Sequence, residues 1–406
     1  MYRANNPNAP SYRSNMNGDS FTHVSYRRNP GYFERVGSSM CGTIFGFILL
    51  VAAFPVLFYN EGRAVQTAKS LDEGLKQVNT LSPSNQIFGS NEGKLVHLTD
   101  RLKSSKALVD NDFGINIYYI ALKRRVEMYQ WVEHENKREY NEGDRTRVET
   151  SYSYTKEWKE EMIKSSGFSQ STLYRNPGSK PLESQTIRSS LVHVAEFQLS
   201  QNLINKVSSF HPYKLTNVPH PFKTVGEFVY KSQDPYNPEV GDLRISFEVA
   251  GQSHPSDQSQ QDIVSIVAKQ RGSSLTSYQT KAGDSLEMLY DGEKSAQEIF
   301  EAEHSFNTKL TWGIRFVGWL LMFISFQIIT DVLRQIVSFI PIIREIVTLA
   351  TTIIAFSMAS SLTLVTVAIA WFYYRPLLSV TLICMAAIPL FLSRQKAASE
   401  KQTSKD

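Results

Sequence analysis

Hydrophobic and polar positions divide this chain into long apolar runs and one long polar interval. Residues 36–60 form an apolar run that contains no charge between Arg35 and Glu61. About 20 helical residues cross a bilayer core of roughly 30 Å, so this run predicts a transmembrane helix. Residues 61–310 contain no comparable run and must fold in water. The pattern therefore predicts a membrane protein that carries a large extramembrane domain.

Three further apolar runs follow the polar interval. We predict transmembrane helices at 311–330, 347–374 and 376–392, the last of them shorter. Arg375-Pro376 predicts a tight turn between the last two. Residues 331–346 have charged and polar side chains at helical spacing among Val, Ile and Leu. They predict an interfacial amphipathic helix that is broken near Pro341, and residues 393–406 form a polar tail.

The polar interval has mainly the pattern of strands. Residues 124–140 and 148–158 alternate apolar and polar positions, and Asn141-Glu142-Gly143-Asp144 supplies turn residues between them, which predicts a long hairpin. Further strands are predicted at 94–98, 115–122, 243–250, 262–270 and 285–290, and helical segments at 61–78, 190–208 and 294–306. The predicted fold class is an α-helical membrane protein with four transmembrane helices plus a large strand-rich α+β extramembrane domain between spans 1 and 2.

Basic residues indicate the orientation of the spans. The arm, residues 1–35, is rich in Asn, Ser, Tyr, Arg and Pro without apolar periodicity, and we predict that it is disordered. Four spans put both termini on one side of the membrane. The arm, residues 331–346 and the tail all carry basic residues, which favours a cytosolic or nucleoplasmic location for them. Residues 61–310 are then lumenal.

The composition of the chain mainly excludes certain partners, sites and activities. A net charge of +4 over 406 residues does not indicate nucleic acid as a partner. Cys41 and Cys384 both lie in apolar runs, so the extramembrane domain has neither a disulfide framework nor a cysteine zinc site. The eight histidines include no zinc-protease pair, and phosphate loops and serine-nucleophile elbows are absent from the sequence. We therefore predict a protein that is not an enzyme and has no cofactor or metal.

Small residues recur every four positions in two of the predicted spans. Ser38, Gly42 and Gly46 do so in the first, which predicts close helix packing, although glycine is common in membrane helices generally. In the third span, one such series consists of Thr351, Ala355, Ala359 and Thr363. Ser357 and Ser361 form a second. We favour helix packing for this span, and a hydroxyl-lined pore is the alternative. The candidate packing and assembly residues are Gly42, Gly46, Thr351, Ala355, Ala359, Ser361 and Thr363.

Two groups of side chains in the predicted hairpin suggest a site. Glu127, Glu133 and Glu135 could supply a pair of carboxylates, but a solvated strand face explains them better. The aromatic residues are Tyr129, Trp131, Tyr152, Tyr154 and Trp158. They could form a binding platform, and we favour cross-strand packing within the sheet.

Taken together, these segments resemble the transmembrane protein 43 family, also called LUMA. The matching residues are Asn60-Glu61-Gly62-Arg63, Arg125, Glu127-Met128-Tyr129-Gln130-Trp131-Val132-Glu133, Tyr152-Ser153-Tyr154, Glu157-Trp158, Pro238-Glu239-Val240-Gly241-Asp242-Leu243-Arg244, Gln270-Arg271-Gly272, Thr311-Trp312-Gly313, Ser361-Leu362-Thr363-Leu364 and Tyr374-Arg375-Pro376-Leu377. The resemblance implies a four-span protein of the endoplasmic reticulum and inner nuclear membrane with a large lumenal domain. It also implies self-association and complexes with emerin and lamins. The family has no established catalytic residues that could be assigned to positions of this sequence.

The leading functional hypothesis is a non-enzymatic membrane scaffold that organises nuclear-envelope protein complexes. Its expected partners are membrane lipids, further copies of the chain as a homo-oligomer, and, by resemblance, emerin and lamins. The alternative is an ion channel or channel modulator that uses the Ser/Thr-rich third span. A lipid-handling domain is a third hypothesis, and it requires an apolar pocket within residues 61–310.

Overall fold

A computed structural model describes residues 11–13, 20–29, 31–82, 86–143, 145–253, 261–338, 340–377 and 379–381. The chain divides into two compact units. The first, here called the strand unit, lies within residues 1–29, 78–278 and 287–296. The second, the helical unit, lies within residues 30–77, 279–286 and 297–406. The interval predicted as one domain, 61–310, therefore contributes to both units.

The α-helices of the described residues are α1 (Tyr32–Gln77), α2 (Gln201–Lys206), α3 (Ala296–Ile336) and α4 (Pro341–Tyr374). Among these residues, three stretches are long and apolar enough to cross a membrane, namely Gly37–Gln77, Ala296–Ile336 and Ile342–Tyr374. They correspond to the first three predicted spans. The fourth predicted span, 376–392, lies largely outside the described residues. The structure thus contains three helices able to span a membrane and a large strand-rich domain.

The segment 331–346 is not a separate interfacial helix, which corrects the prediction. Its first residues complete α3, which ends at Ile336, and its last residues begin α4. The break follows from Pro341, which occupies the start of α4. Proline has no backbone N–H and disfavours the helical conformation in the residue before it, so it is tolerated at the beginning of a helix and not in its middle.

Beyond the apolar runs, α1 and α3 continue together as a helical pair, here called the stalk. Leu71 of α1 and Ile299 and Phe300 of α3 are fully or almost fully buried. A Cβ at Gly74 would lie 2.5 Å from Leu286 and 2.8 Å from Phe300, so only glycine allows this approach. Residues 61–78, predicted as a short amphipathic helix leaving the membrane, are helical as far as Gln77 and continue the first span directly.

The strands of the described residues are β1 (Ser11–Arg13), β2 (Ser20–Arg28), β3 (Asn79–Thr80), β4 (Leu95–Ser104), β5 (Leu108–Asp110), β6 (Ile115–Ile117), β7 (Tyr119–Asn141), β8 (Arg145–Lys159), β9 (Gln185–Arg188), β10 (Val192–Val194), β11 (Phe197–Leu199), β12 (His211–Pro212), β13 (Lys223–Val225), β14 (Phe228–Lys231), β15 (Leu243–Gln252), β16 (Ile263–Arg271), β17 (Ser274–Thr276), β18 (Tyr278–Gln279), β19 (Ser285–Leu286) and β20 (Met288–Asp291). Short 3₁₀ helices occur at Gly89–Asn91 and Ser165–Gly167.

Two sheets dominate the described part of the strand unit. The larger has the order β1-β2-β8-β7-β15-β14-β13, with β12 on β15 and β9 on β7. The smaller has the order β20-β16-β17-β11-β10-β4-β3, and β16 also pairs with β4. The predicted hairpin is β7 and β8, which pair from Met128↔Lys159 to Asn141↔Thr146. Residues 190–208, predicted as helical, are instead β10, β11 and the short α2, which Ser200 caps by accepting a hydrogen bond from the Leu203 N–H.

Alternating buried residues build two cores in the strand unit. The first includes Val96 and Leu98 of β4 and Ile266 of β16, all without exposed surface. The second includes Val126 of β7 and Ile245 of β15, also without exposed surface. In β15, buried and partly exposed residues alternate over most of the strand, as the two-residue period of a strand requires.

The N-terminal arm contains strands, although its composition predicts disorder. Residues Ser20–Arg28 form β2, which pairs antiparallel with β8 from Ser20↔Ser153 to Arg28↔Arg145. The segment SFTHVSYRR contains several β-branched and aromatic residues, which are favoured in strands. A neighbouring strand supplies the backbone hydrogen bonds that this short segment could not form alone. The prediction of disorder is therefore wrong for these residues.

Candidate functional site

Polar side chains from α1, α3 and α4 meet where the apolar run of α1 ends. The set lies within the helical unit, and we call it the polar cluster. It consists of Asn60, Glu61, Arg63, Asn307, Thr311, Arg315 and Trp371. A helical period brings Asn307, Thr311 and Arg315 to one face of α3, because residues four apart lie on the same side of a helix.

The centre of the polar cluster is a buried ion pair. Glu61 has 2% of its side chain exposed. Arg315 donates from Nε to Oε1 at 2.6 Å and from Nη2 to Oε2 at 2.7 Å. Trp371 of α4 donates from Nε1 to Oε2 at 2.8 Å. Both carboxylate oxygens are thus occupied, and one acid joins all three helices through charge-assisted hydrogen bonds.

Aromatic rings also cover the arginine of this pair. The guanidinium of Arg315 lies 4.7 Å from the ring centre of Trp312 and 5.7 Å from that of Trp371. The interaction with the ring faces further stabilises the cation. Its position near the start of the second apolar run predicts that this arginine extends to the membrane interface. In the structure it binds Glu61, 254 residues away in the chain.

A second arginine in the polar cluster binds only neutral partners in the described part of the chain. Arg63 donates from Nη1 to Oδ1 of Asn307 at 3.0 Å and from Nη2 to Oγ1 of Thr311 at 3.1 Å. Its Nη2 also lies 3.4 Å from Oδ1 of Asn60. In return, Asn307 donates to the carbonyl of Ala64 at 3.0 Å. These bonds hold the outer turns of α1 and α3 in one register.

Gly62 allows α4 to approach α1 beside the cluster. A Cβ at this position would lie 2.6 Å from Cζ of Tyr374, closer than real side chains approach one another. Asn60-Glu61-Gly62-Arg63 therefore acts as a helical docking segment. The first, second and fourth residues form polar bonds, and the glycine accommodates the Tyr374 ring.

The opposite end of the apolar helices has a different polar group. Ser39 of α1 donates to Oδ2 of Asp331 on α3 at 2.8 Å. Asp331 also forms a longer ion pair, 3.7 Å, with Arg334 of the same helix. A cavity of 460 Å³ lies beside these residues and is also lined by Ser38, Gly42, Gln327 and Gln335.

The small residues predicted in the first span contact α3. A Cβ at Gly46 would lie 2.9 Å from Ile329 Cγ1 and 3.1 Å from the Ser325 carbonyl oxygen. A Cβ at Gly42 would lie 3.7 Å from Ile328, which is an ordinary contact distance. Of these two positions, Gly46 therefore has the closer contact with α3, and this contact is within one chain.

The small residues predicted in the third span lie on two different faces of α4. Thr351, Ala355, Ala359 and Thr363 are buried, whereas Ser357 and Ser361 are exposed. Thr351 donates its hydroxyl to the Val347 carbonyl at 2.8 Å, and Thr363 lies 3.5 Å from the Met322 sulfur. These contacts are those of packed membrane helices, in which hydroxyls bond to their own backbone or to a neighbour. They support the packing interpretation over a hydroxyl-lined pore.

The candidate carboxylates of the hairpin each have a separate partner. Glu127 accepts hydrogen bonds from Arg244 at 2.9 Å and 2.8 Å. Glu133 accepts one from the Tyr154 hydroxyl at 2.6 Å, and Glu135 pairs with Lys137 at 2.8 Å. Burial and the hydrogen bond to Glu133 raise the pKa of Tyr154. The geometry brings no two of these three acids together as a pair.

The aromatic residues of the hairpin pack against one another and against neighbouring strands. Tyr129 lies 5.0 Å from Trp158 across the β7–β8 pair, and Tyr154 stacks on Tyr174 at 3.7 Å. Arg244 of β15 lies 4.9 Å from the Trp158 ring. The contacts of Trp158 with Tyr129 and Arg244 are the cross-strand contacts that the packing interpretation requires, whereas Tyr174 belongs to the segment between β8 and β9.

One buried histidine lies in the strand unit. His97 contacts Oγ1 of Thr80 at 3.3 Å and the Lys294 carbonyl at 2.9 Å. Burial lowers its pKa, and the hydrogen bond to the Lys294 carbonyl partly opposes that shift. Within the described residues, no group of three His, Cys, Asp or Glu side chains could hold a metal ion. His97 thus has the contacts of a core side chain.

The polar cluster was missed by reasoning from the sequence, although two signals were present. Asn60-Glu61-Gly62-Arg63 follows an uncharged run immediately, and Arg315 lies inside the edge of another. Ionisable residues at the edge of one span favour partners at the same depth on another span. Glu61 and Arg315 could have been paired on that basis, but Trp371 carries no comparable signal.

Comparison with known proteins identifies relatives along almost the whole chain. The family model described as Transmembrane protein 43 matches residues 128–376. The human protein named Transmembrane protein 43 is 37% identical over 397 residues, covering 97% of this chain and 99% of that protein. The rat protein of that name gives the same values. A Drosophila melanogaster homolog is 32% identical over 360 residues, covering 85% of this chain and 92% of its own length. No solved structure matches the chain.

Proposed function

Because the chain belongs to the transmembrane protein 43 family, we propose that it is a non-enzymatic multi-pass scaffold that organises protein complexes in the nuclear envelope. The scaffold resides in the endoplasmic reticulum membrane and the inner nuclear membrane. It self-associates, and its partners in the envelope are emerin and lamins. The family name describes a membrane protein and carries no catalytic term, which agrees with this class of function.

The polar cluster is the observation that carries the proposal. Both oxygens of Glu61 bind side chains of other helices, namely Arg315 of α3 and Trp371 of α4. The buried charge therefore holds three helices together. A helix block fixed in this way provides a stable platform for partners, as a scaffold requires.

Recovery of partners from native membranes tests the scaffold function. Tagged full-length protein would be solubilised from nuclear-envelope membranes, and emerin, lamins and a second tagged copy would be quantified in the eluate. We expect Glu61→Ala to reduce recovery of all three, because the helix block loses its central contact. Ser305→Ala, at an exposed position of α3 outside the candidate packing residues, serves as the control. Equal recovery with wild type and Glu61→Ala would contradict a scaffold role for this block.

The orientation of the chain is part of the proposal. With both termini cytosolic or nucleoplasmic, the strand unit residues after α1 are lumenal. The pairing of β2 with β8 conflicts with this orientation. The strand β2 precedes the first span and β8 follows it, and hydrogen-bonded strands must lie on the same side of a bilayer. The proposed orientation therefore requires β2 to separate from β8 when the chain spans a membrane.

Cysteine labelling in sealed microsomes distinguishes the two arrangements. Ser25→Cys reports on β2 and Ser151→Cys on β8, and a membrane-impermeant maleimide labels only the cytosolic side. The proposed orientation predicts labelling at residue 25 and protection at residue 151. Equal behaviour of both positions would contradict it and would favour the β2–β8 ladder in the membrane-bound protein.

The channel alternative rests on the hydroxyl groups of α4. Reconstituted protein would show a conductance that changes when Thr363 or Ser361 is replaced by Leu. The contacts of Thr351 and Thr363 within the helical unit favour the scaffold instead.

A further inference from the structure

A notch lies on the outer side of α1, directly beyond the apolar run. Its cavity measures 470 Å³ and is lined by Tyr59, Gly62, Arg63, Gln66, Lys69 and Tyr374, among others. Every one of these side chains belongs to the helical unit. The α1 residues repeat at intervals of three or four and therefore share one face of the helix. The lining includes two cations and no acid.

The charge of Arg63 is the first reason to expect an anionic ligand. All of its hydrogen-bond partners in the described part of the chain are neutral, namely Asn60, Asn307 and Thr311. Its Nε is buried and has no partner there. Arg315, by contrast, has a countercharge, because Glu61 accepts hydrogen bonds from two of its three nitrogen atoms, Nε and Nη2. A fixed and uncompensated guanidinium favours binding of an anion, and phosphate matches its donor geometry.

The acids nearest to the notch already have other partners. Asp284 accepts a hydrogen bond from Gln66 at 2.6 Å, and Glu73 accepts the Lys281 backbone N–H at 3.0 Å. Asp72 lies 3.2 Å from Nε2 of His304. Lys69 is exposed at the outer edge of the notch and forms no ion pair within the described residues. Asp284 and Glu73 keep their negative charge in these bonds, but within the described residues none of the three acids forms an ion pair with Arg63 or Lys69.

The position of the notch relative to the membrane indicates which class of anion binds there. From the end of the apolar run at Tyr59, Arg63 lies about 6 Å along α1 and Lys69 about 15 Å, at about 1.5 Å per helical residue. Phospholipid headgroups occupy a layer of roughly 5–8 Å on each side of the hydrocarbon core, so Arg63 lies at their depth. Lys69 starts outside this layer, and its long side chain points back toward the N-terminus of the helix and thus toward the headgroups. Tyr59 and Tyr374 lie on the membrane side, and aromatic residues of this type are enriched at that interface.

We propose that the notch binds the phosphate group of an anionic phospholipid. The phosphate contacts Arg63 and Lys69, and the lipid chains lie against the apolar surface of α1 below Tyr59, which is 70% exposed. This inference is independent of the scaffold proposal. A free phosphate ion has the same headgroup chemistry but lacks the chains, so experiment can separate the two sources.

Native mass spectrometry of the full-length protein in mild detergent tests the assignment. Phosphatidic acid and phosphatidylcholine would be added separately, and bound lipid per chain would be counted. We expect phosphatidic acid to bind preferentially, and both Arg63→Gln and Lys69→Gln to weaken that binding by about tenfold, the effect of one charged contact. Lys76→Gln removes a cation of the same helix outside the notch and should leave binding unchanged.

Three results would overturn the proposal. Unchanged lipid binding in both Arg63→Gln and Lys69→Gln would exclude the notch. Equal losses in Lys76→Gln would show general attraction to a basic stalk. Full displacement by inorganic phosphate at equal concentration would identify the ligand as the free ion. Should Arg63→Gln fail to fold because it loses Asn307 and Thr311, Lys69→Gln decides the outcome, since Lys69 takes no part in those bonds.

Discussion

The two ends of the helical unit hold acidic and basic residues in different ways. At one end, Glu61 and Arg315 come from different helices and lie 2.6 Å apart, and Trp371 adds a third helix. At the other end, Asp331 and Arg334 belong to the same helix and lie 3.7 Å apart, and Ser39 bonds across to Asp331. One end is a closed network of three helices, whereas at the other a polar bridge between two helices lies beside a 460 Å³ cavity.

Burial explains why this difference matters energetically. Glu61 has 2% of its side chain exposed, whereas Asp331 has 39%. A buried charge that loses its partner costs several kcal/mol, but an exposed one is solvated by water or headgroups. We therefore infer that the Glu61 end fixes the arrangement of the helices and the Asp331 end tolerates change.

Removal of Glu61 gives the largest expected effect. Glu61→Ala leaves the partly buried Arg315 without its countercharge and leaves the Trp371 N–H without this acceptor. We expect a loss of about 3–5 kcal/mol in the free energy of unfolding, as for other broken buried pairs. Unfolding in a mixed-micelle denaturant series, followed by tryptophan fluorescence, measures this loss.

The double variant Glu61→Ala with Arg315→Ala provides the control for this prediction. It removes both charges, so much of the loss should be recovered relative to the single variant. Equal losses in the single and double variants would show that the pair is not coupled. Asp331→Ala should cost far less than Glu61→Ala, and a comparable cost would contradict the contrast between the two ends.

The second prediction concerns helix contact near the Asp331 end. Gly46→Ala inserts a methyl group 3.1 Å from the Ser325 carbonyl oxygen, which belongs to a rigid helix backbone. We expect a loss of about 1–3 kcal/mol in the free energy of unfolding from overpacking. Gly42→Ala is the matched control, because its methyl would lie 3.7 Å from Ile328, and alanine favours helix by about 1 kcal/mol over glycine. Similar losses for both variants would contradict the close approach at Gly46.

The sequence predicted elements whose signal is local. Three apolar runs became α1, α3 and α4, and the alternation around Asn141-Glu142-Gly143 became the β7–β8 hairpin. Pairing over long separations was not predicted. Glu61 meets Arg315 across 254 residues, and β2 meets β8 across more than 100. Such contacts depend on how elements meet in space, which a local period of two or 3.6 residues does not encode.

Within one helix, too, the sequence predicted the burial of some candidate packing residues and not of others. The spacing of Thr351, Ala355, Ala359 and Thr363 predicts a single shared face, and those four side chains are buried. Ser361 was grouped with them as a small polar residue, but it lies on an exposed face. A position two residues from Thr363 points away from it, since each residue advances about 100° around a helix.

A smaller effect is expected at the polar bridge itself. Ser39→Ala removes the 2.8 Å hydrogen bond to Asp331. Since Asp331 retains Arg334 and partial exposure, we expect a loss of about 1 kcal/mol in the free energy of unfolding. The same denaturant series measures it, and Ser361→Ala provides the exposed serine control. A loss as large as that of Glu61→Ala would remove the distinction between a network and a bridge.

The smallest effect is expected from removing a hydroxyl group of α4. This change tests whether such groups stabilise the packing of the helices. Thr363→Val keeps the shape of the side chain and removes the hydroxyl that lies 3.5 Å from the Met322 sulfur. Sulfur is a weak acceptor, and hydrogen bonds between membrane helices average about 0.6 kcal/mol, so the loss should not exceed that value. Thr363→Leu adds volume at a buried position and should cost about 1–3 kcal/mol. A larger loss in Thr363→Val than in Thr363→Leu would show that polarity, and not packing, is what this face of α4 requires.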